Sequence, residues 1–228
     1  MTPQRQADTQ TSYDRIAEEY VRHIYNELDG KPLDRALLER FAERLRGRGI
    51  VCDMGCGPGH VARYLAGRGL DVIGVDLSAG MVAQAVALNP GIPFHVGDML
   101  ALDVPEGAWA GIVAFYSIIH IPREQVVDAL REMRRVLAPG GSLLMAFHIG
   151  NETLHVEDMW EQPVALDFAF FESAEMAGYL EQAGFTVEEV IERDPYAPDV
   201  EHQSRRAYIL SSKASQVNEE GDDSNDNS

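Results

Sequence analysis

Short apolar runs and amphipathic segments alternate along most of the chain. Five runs predict strands, and the fourth is apolar throughout, as is typical of a strand covered on both faces; they span 50–54, 71–75, 92–96, 109–116 and 142–148. Between them, apolar residues recur at helical spacing over 60–66, 78–88 and 123–137. Strands that alternate with helices in this way favour a doubly wound parallel sheet.

Two further helices are predicted before the first strand. Apolar and aromatic side chains between Tyr13 and Ile24 recur three or four residues apart, which is the pattern of one helix face. Gly30-Lys31-Pro32 interrupts the pattern, and a second helix is predicted from Leu33, ending at Gly47. Residues 1–11 carry few apolar side chains and are therefore predicted to be disordered.

The alternation of strands and helices ends after the fifth strand. Residues 150–163 are polar, and the alternation over 164–170 predicts a half-buried strand. The remaining predicted elements are a helix and two strands, over 173–182, 184–191 and 206–211. We therefore expect one domain over 12–212, followed by a disordered acidic tail over 213–228.

The charge balance narrows the classes of partner. The chain has 19 Lys and Arg against 37 Asp and Glu, a formal net charge of −18, whereas a surface that tracks phosphates needs clustered cations. We therefore expect no nucleic-acid partner. The sequence shows neither a membrane-spanning apolar run nor the apolar core of a signal peptide. Two cysteines are too few for a disulfide scaffold, so Cys52 and Cys56 are expected to be reduced. These features predict a cytoplasmic protein with no membrane partner.

The segment from Asp53 to His60 joins the first strand to the next helix and carries three glycines. Gly55, Gly57 and Gly59 allow the backbone to approach a ligand closely at the carboxyl edge of a sheet. A dinucleotide-binding fingerprint would place its third glycine at position 60, which is histidine. The spacing therefore disfavours an NAD-type oxidoreductase.

This segment resembles the first motif of the class I, Rossmann-like S-adenosylmethionine-dependent methyltransferases, which is an acid, one residue of any kind and then Gly-x-Gly-x-Gly. Four other features are similar to that family and occur in its order: Tyr13-Asp14-x-x-Ala17-x-x-Tyr20, Asp76 after the second strand, Gly97-Asp98-Met99 after the third, and the turn Pro139-Gly140-Gly141. The resemblance covers about residues 12–212. It implies an α/β fold with a doubly wound, seven-stranded, mostly parallel sheet whose last strand is antiparallel, an N-terminal helical lid over 12–47 and a cap insertion over 149–171.

The resemblance also implies a binding site for S-adenosylmethionine. Asp76 would accept from the ribose hydroxyls and Asp98 from the adenine amine, while the amide of Met99 would meet the adenine ring. The residues expected to bind the cofactor are Tyr13, Tyr20, Asp53, Gly55, Cys56, Gly57, Gly59, Asp76, Leu77, Met81, Asp98, Met99 and Tyr116. Structural alternatives exist, since Asp53 can cap the next helix, Asp98 can form an ordinary turn, and the two tyrosines can be core aromatics.

Two histidines are predicted to lie beside the reacting methyl group. His120 follows the fourth strand and His148 ends the fifth, and a neutral imidazole can take a proton from an acceptor. A structural hydrogen bond is the alternative for His120. Side chains of the cap insertion are expected to line the acceptor site, with packing over the sheet edge as the alternative for the phenylalanines; they are His155, Asp158, Met159, Trp160, Phe168, Phe170 and Phe171.

These features predict an enzyme that transfers a methyl group from S-adenosylmethionine to an O, N or C atom of a small organic acceptor and releases S-adenosylhomocysteine. The segment after the fourth strand reads Phe115-Tyr116-Ser117-Ile118, which differs from the Asp/Asn-Pro-Pro-Tyr motif of nucleobase amino-methylases. No metal is expected. The alternative is a non-catalytic protein that binds the cofactor as a sensor or partner subunit. The sequence leaves open the acceptor and the choice between a monomer and a homodimer.

Overall fold

Nine strands form two sheets in the computed structural model, which describes residues 3–215. The strands are β1 Ile50–Met54, β2 Asp71–Asp76, β3 Phe94–Val96, β4 Trp109–Phe115, β5 Leu137–His148, β6 Thr153–Met159, β7 Gln162–Ala169, β8 Phe185–Arg193 and β9 Arg206–Lys213. Seven of them make one sheet in the order β3-β2-β1-β4-β5-β9-β8, and β6 pairs with β7 alone.

The large sheet is parallel except for one strand. Neighbouring strands from β3 to β5 pair in parallel, whereas β9 is antiparallel to both β5 and β8. The chain adds strands outward from β1 on one side and from β4 on the other, so the strand order reverses between them. Open α/β sheets bind ligands at the carboxyl ends of such a strand pair. The predicted fold class, including the antiparallel last strand, is confirmed.

Helices cover both faces of this sheet. They are α1 Pro3–Ile24, α2 Pro32–Leu45, α3 His60–Ala66, α4 Ala79–Leu88, α5 Arg123–Val136 and α6 Ser173–Gln182, with short 3₁₀ turns at Glu27–Gly30 and Ile118–His120. Phe41 of α2 and Leu65 of α3 belong to the core on one face, and Leu130 of α5 and Met176 of α6 to the core on the other. The sheet is therefore buried on both sides, as the apolar strands predict.

The first helix begins earlier than the sequence predicts. α1 starts at Pro3, so the prediction of disorder over 1–11 is wrong from residue 3 onward, and residues 1–2 lie outside the described part of the chain. Polar side chains at the start of this helix contact residues far along the chain: Gln6 Nε2 donates to Asp98 Oδ2 at 2.7 Å, and Arg5 forms an ion pair with Asp167 at 2.6 Å. These contacts replace the apolar packing whose absence suggested disorder.

The cap insertion folds as the β6–β7 hairpin. Alternation over 164–170 indicates β7, whereas β6 escapes prediction because its side chains are mostly exposed on both faces. Trp160 and Glu161 form the turn with φ of 53° and 64°, the left-handed pair that a two-residue hairpin turn requires. Both are strained there, since neither is glycine. Leu166 of β7 packs against Ile16 of α1, so the lid and the hairpin form one cover.

The last strand is longer than expected. β9 extends to Lys213, whose buried Nζ donates to the carbonyl of Leu137 at 2.7 Å, so the predicted tail over 213–228 begins too early. The part of that tail over 216–228 lies outside the described residues. Within the described residues, the helices are too short or too polar to cross a lipid bilayer.

Candidate functional site

A cavity of about 330 Å³ opens at the carboxyl ends of β1, β2, β4 and β5, beneath α1 and the β6–β7 hairpin. This is the edge at which the strand order reverses, so the fold itself positions the site. Thirteen of the fifteen predicted site residues line it: Tyr13, Tyr20, Gly55, Cys56, Gly57, Asp76, Leu77, Met81, Asp98, Met99, Tyr116, His120 and His148.

The two predicted residues outside the cavity have structural roles. Asp53 is 2% exposed, and its Oδ2 accepts from the amide of Ala62 at 2.9 Å, which caps the start of α3. Burial raises the pKa of Asp53 to about 7. Gly59 adopts φ of 79° immediately before α3, and a Cβ there would lie 2.7 Å from the ring of Phe94. In this structure Asp53 caps a helix and Gly59 meets a packing requirement, and their predicted cofactor contacts stay a prediction.

The glycine loop brings bare backbone to the cavity wall. Gly55 and Gly57 have φ of 73° and 50°, in the left-handed region that favours glycine. A Cβ on Gly55 would lie 2.2 Å from the Cβ of Ser117, so no larger residue fits between β1 and the end of β4. A Cβ on Gly57 would lie 3.6 Å from the ring of Tyr20, which also lines the cavity.

Asp76 is oriented by two backbone amides at the end of β2. Its Oδ2 accepts from Gly57 N and its Oδ1 from Ser78 N, each at 2.8 Å. Burial raises the pKa of the carboxyl group, and the two amides partly offset this effect. Each carboxylate oxygen keeps a second lone pair, so Asp76 can also accept from hydroxyl groups of a ligand.

The sequence left two alternatives for Asp98, a residue of an ordinary turn or a residue of the binding site, and in the structure it has both positions. Its Oδ1 accepts from Leu100 N at 2.9 Å, which closes a turn after β3, and the residue also lines the cavity. The other oxygen accepts from the side-chain amide of Gln6. A ligand amine that binds this oxygen must share it with the lid or displace Gln6.

Tyr13 and His120 form a hydrogen-bonded pair between the lid and the strand edge. His120 Nδ1 donates to the carbonyl of Asp167 at 2.9 Å, which assigns the proton to Nδ1 because a carbonyl only accepts. Nε2 therefore accepts from the Tyr13 hydroxyl at 2.7 Å. Burial lowers the pKa of His120 to about 4, so the ring is neutral at pH 7.

His148 is neutral for a similar reason. Burial, together with the charge of Arg206, lowers the pKa of His148 to about 2. Its Nδ1 lies 2.7 Å from the hydroxyl of Ser204, which also accepts from Arg206 and so has its own proton free for Nδ1. The ring stacks on Phe170 at 4.9 Å between centroids. When the Ser204 hydroxyl donates to Nδ1, the proton of His148 lies on Nε2, and the ring then presents a donor to the cavity.

A network of buried charges beside the cavity was missed by the sequence analysis. Lys31 Nζ donates to Glu27 Oε2 at 2.6 Å, and the other oxygen of Glu27 lies 3.0 Å from His60 Nε2. Although burial opposes it, the hydrogen bonds from His60 and Lys31 hold the pKa of Glu27 at about 2. In the sequence, Lys31 stands out only as part of a helix break.

Two cations flank the aromatic ring of Tyr116 at the end of β4. Lys31 Nζ lies 5.3 Å and the Arg206 guanidinium 5.6 Å from the ring centroid. Both also approach the same oxygen of Glu201, at 3.9 Å and 3.7 Å. Tyr116 itself has φ of 53°, an uncommon conformation for an aromatic residue that often marks functional sites.

Only some of the cap side chains that the sequence analysis assigned to the acceptor site reach the cavity. Met159, Trp160 and Phe168 line the cavity, and Trp160 stacks on His23 of α1 at 4.6 Å. His155 instead pairs with Asp167 at 2.7 Å with half of its side chain exposed. The cavity lining also omits the other expected cap residues, Asp158, Phe170 and Phe171. His155 therefore does not face the site, and Phe171 is a core residue.

The comparisons with known proteins agree with this geometry. Residues 51–141 match the family model described as a methyltransferase domain. The malonyl-[acyl-carrier protein] O-methyltransferase of Enterobacter lignolyticus is 28% identical over 78% of this chain and 69% of its own length. The demethylmenaquinone methyltransferase of Beutenbergia cavernae is 30% identical over 61% of this chain and 57% of its own.

A solved structure extends the likeness to the whole fold. The 1,6-didemethyltoxoflavin-N1-methyltransferase of Burkholderia thailandensis, crystallised with 1,6-didemethyltoxoflavin and S-adenosylhomocysteine, superposes with a TM-score of 0.66. The match covers 92% of this chain and 87% of that one at 18% identity. The fold is that of the Rossmann-like methyltransferases. The matched domain and the relatives are class I S-adenosylmethionine-dependent methyltransferases, which points to S-adenosylmethionine as the cofactor.

Proposed function

We propose that this chain transfers the methyl group of S-adenosylmethionine to a small organic acceptor and releases S-adenosylhomocysteine. The observation that carries the proposal is one cavity in which the glycine loop and strand-end acids meet aromatic side chains of the lid and hairpin. Such a cavity can hold a cofactor and a small acceptor side by side. We place the reaction in the cytoplasm, because Cys52 and Cys56 are both free and buried.

The residues of the cavity fit the cofactor. His60 Nδ1 and Ser117 Oγ are buried beside the glycine loop without a hydrogen-bond partner among the described residues, so polar groups of the methionine moiety can satisfy them. The ammonium group of Lys31 has three N–H donors, and one of them donates to Glu27. The others can donate to the methionine carboxylate. Asp76 would hold the ribose, and Asp98 the adenine amine in exchange for Gln6. When bound, the cofactor supplies a methyl group already activated on a sulfonium.

The task left to the chain is to position the acceptor and exclude water. α1 and the hairpin close over the cavity, and Tyr20 and Trp160 meet edge to face at 5.8 Å within that cover. Aromatic walls also suit an organic acceptor. The acceptors named for the relatives differ from one another, so they do not fix the acceptor of this chain.

Tyr13 and His120 can move a proton when the acceptor is protonated. In this step the acceptor proton passes to Tyr13 Oη while the Tyr13 proton passes to His120 Nε2, which leaves a neutral tyrosine and an imidazolium. The existing 2.7 Å hydrogen bond already lies along the second half of that path. His120 therefore acts as the base through Tyr13, and His148 acts as a donor that orients the acceptor.

One experiment tests the proposed activity. Purified protein is first titrated with S-adenosylhomocysteine and with NAD by calorimetry, and binding of the former alone is expected. Methyl-labelled S-adenosylmethionine is then incubated with the protein and a fractionated cell extract. We expect label in the small-molecule fraction. Label confined to protein or nucleic acid contradicts the small acceptor, and binding without transfer to any fraction favours the sensor alternative.

A further inference from the structure

Arg206 is a buried charge in the wall of the cavity, at the beginning of β9. It is 2% exposed, and its terminal nitrogens donate to groups without a net charge, on Ser204 and His202. Its ion pair with Glu201 Oε2 is long, at 3.7 Å, and that oxygen accepts from Arg193 at 3.0 Å. Arg206 Nε has no partner among the described residues. Because its ion pair is long and shared and its Nε is unpaired among the described residues, this guanidinium can take a further anionic partner.

The place of Arg206 in the sheet separates it from the glycine loop. Arg206 lies opposite His148 in the antiparallel β5–β9 register, and β4 and β5 stand between β9 and β1. Neighbouring strands are about 4.8 Å apart, so β9 begins about 14 Å across the sheet from the strand that carries the loop. The guanidinium reaches only as far as the ring of Tyr116. Arg206 therefore lies at the β4–β5 end of the cavity, beside His148, which the proposed function gives to the acceptor, although it shares Tyr116 and Glu201 with Lys31.

The polar groups of this part of the wall that can meet a ligand include N–H donors, whereas the carboxylate of Glu201 is already held by Arg193. His148 carries a proton on Nε2 when the Ser204 hydroxyl donates to its Nδ1. Phe168 and Tyr116 form apolar parts of the same lining. A ligand group that accepts hydrogen bonds and carries negative charge complements this set, whereas a neutral or cationic acceptor leaves Arg206 with its long ion pair to Glu201 as its one anionic contact among the described residues.

We propose that the methyl acceptor carries a carboxylate that Arg206 binds, with His148 Nε2–H as the second donor. The inference rests on the proposed function and adds the chemical class of its acceptor. A carboxylate is planar and accepts from two neighbouring donors at once, which matches a guanidinium beside an imidazole N–H. The carboxylate anchors the molecule, so the methylated atom can be the carboxylate oxygen or another atom of the same acceptor.

Ligand-observed NMR on protein saturated with S-adenosylhomocysteine tests the proposal. The probes are straight-chain carboxylates from butanoate to decanoate and benzoate, each paired with its primary amide. We expect acids that fit the cavity to bind about tenfold more tightly than their amides. Arg206→Gln should abolish this preference. The neighbouring Arg205→Gln should retain it, because Arg205 is exposed and pairs with Glu192 at 2.7 Å.

The outcomes are separable from those of the cofactor experiment. Equal binding of acids and amides, or an acid preference that survives in Arg206→Gln, overturns the carboxylate assignment even if S-adenosylhomocysteine binds normally. Loss of S-adenosylhomocysteine binding in Arg206→Gln with an unchanged acid preference assigns the residue to the cofactor and also overturns it. If Arg206→Gln fails to fold, Arg206→Lys tests the proposal instead. Its affinity for the acids should fall about tenfold and its affinity for the amides should not change, since lysine lacks the planar pair of donors of a guanidinium.

Discussion

The carboxylate of Asp76 is oriented by the backbone, since Gly57 N and Ser78 N each donate to one of its oxygens. If it also accepts from the ribose hydroxyls, Asp76→Ala removes charge-assisted hydrogen bonds of about 1.5–3 kcal/mol. Since each tenfold change in the dissociation constant corresponds to about 1.4 kcal/mol, we expect S-adenosylhomocysteine to bind about ten- to hundredfold more weakly. Calorimetry measures this dissociation constant. Asp71→Ala, at the exposed start of the same strand, should bind normally. An unchanged dissociation constant in folded Asp76→Ala excludes the ribose role.

The hydroxyl of Tyr13 is a second feature with a measurable consequence at the scale of one residue. Tyr13→Phe keeps the ring but removes the group that joins the acceptor to His120 Nε2. With the acceptor found by the labelling experiment, kcat should fall about 10²-fold or more, and the affinity for S-adenosylhomocysteine should change little. His120→Gln should show the same kcat loss. Tyr25→Phe, whose hydroxyl bonds Asn89 at 2.7 Å, is the control and should retain full turnover.

A retained kcat in both Tyr13→Phe and His120→Gln would show that no proton passes along this pair. Catalysis would then depend on positioning alone, as expected for an acceptor that reacts without losing a proton.

The site residues that the sequence predicts share one property, which is a local spacing. Gly55 and Gly57 follow β1 directly and Asp76 ends β2, so the alternation of elements already places them at one edge. Lys31 and Arg206 come from a helix break and the first residue of the last strand, and only the folded chain brings both against Tyr116. No local pattern marks such residues, because their function depends on contacts between distant segments.

At the scale of elements, α1 is tied to the sheet edge through Asp14. Its Oδ1 accepts from Ser78 Oγ at 2.6 Å and from Gly80 N at 2.8 Å, near the start of α4. Asp14→Ala should loosen the lid because it removes both contacts, each of about 1.5–3 kcal/mol when charged. Amide exchange over 12–24 should become faster than in the wild type, and adding S-adenosylhomocysteine should restore part of the protection.

Glu18→Ala is the matched control for the lid, since Glu18 is exposed on the same helix. Equal exchange in Asp14→Ala and Glu18→Ala would mean that the apolar contacts of Ile16 hold α1 without help from Asp14.

The two elements that the sequence misjudges belong to this cover. The start of α1 and the whole of β6 lack the apolar periodicity on which such predictions depend, and they are ordered by partners far along the chain. Ser12 Oγ, for example, accepts from the backbone of Ala165 at 2.9 Å. The centre of the large sheet is predictable because β1 and β4 are buried on both faces, and such a strand is recognised in the sequence as one apolar run.

At the scale of the whole molecule, buried titratable groups couple stability to pH with opposite signs. The folded pKa values of His120 and His148, about 4 and about 2, lie below the ordinary value of 6.5. The unfolded chain therefore binds more protons between these values, and both histidines favour folding less as pH falls below 6.5. The folded pKa of Asp53, about 7, lies above its ordinary 3.8, so this carboxyl group favours folding more as pH falls from 7.

Variants separate these opposing contributions. From pH 7 to pH 5 the wild type should lose about 2 kcal/mol of unfolding free energy through His148 alone. The loss begins near the ordinary pKa of 6.5, so it extends over about 1.5 pH units, and each unit lowers the unfolding free energy by about 1.4 kcal/mol. Urea unfolding of His148→Gln should therefore show a shallower loss between these pH values. Asp53→Asn removes the contribution of opposite sign, so its loss should be steeper than that of the wild type by about 2 kcal/mol. Parallel pH profiles for all three proteins would show that these groups titrate normally in the folded chain.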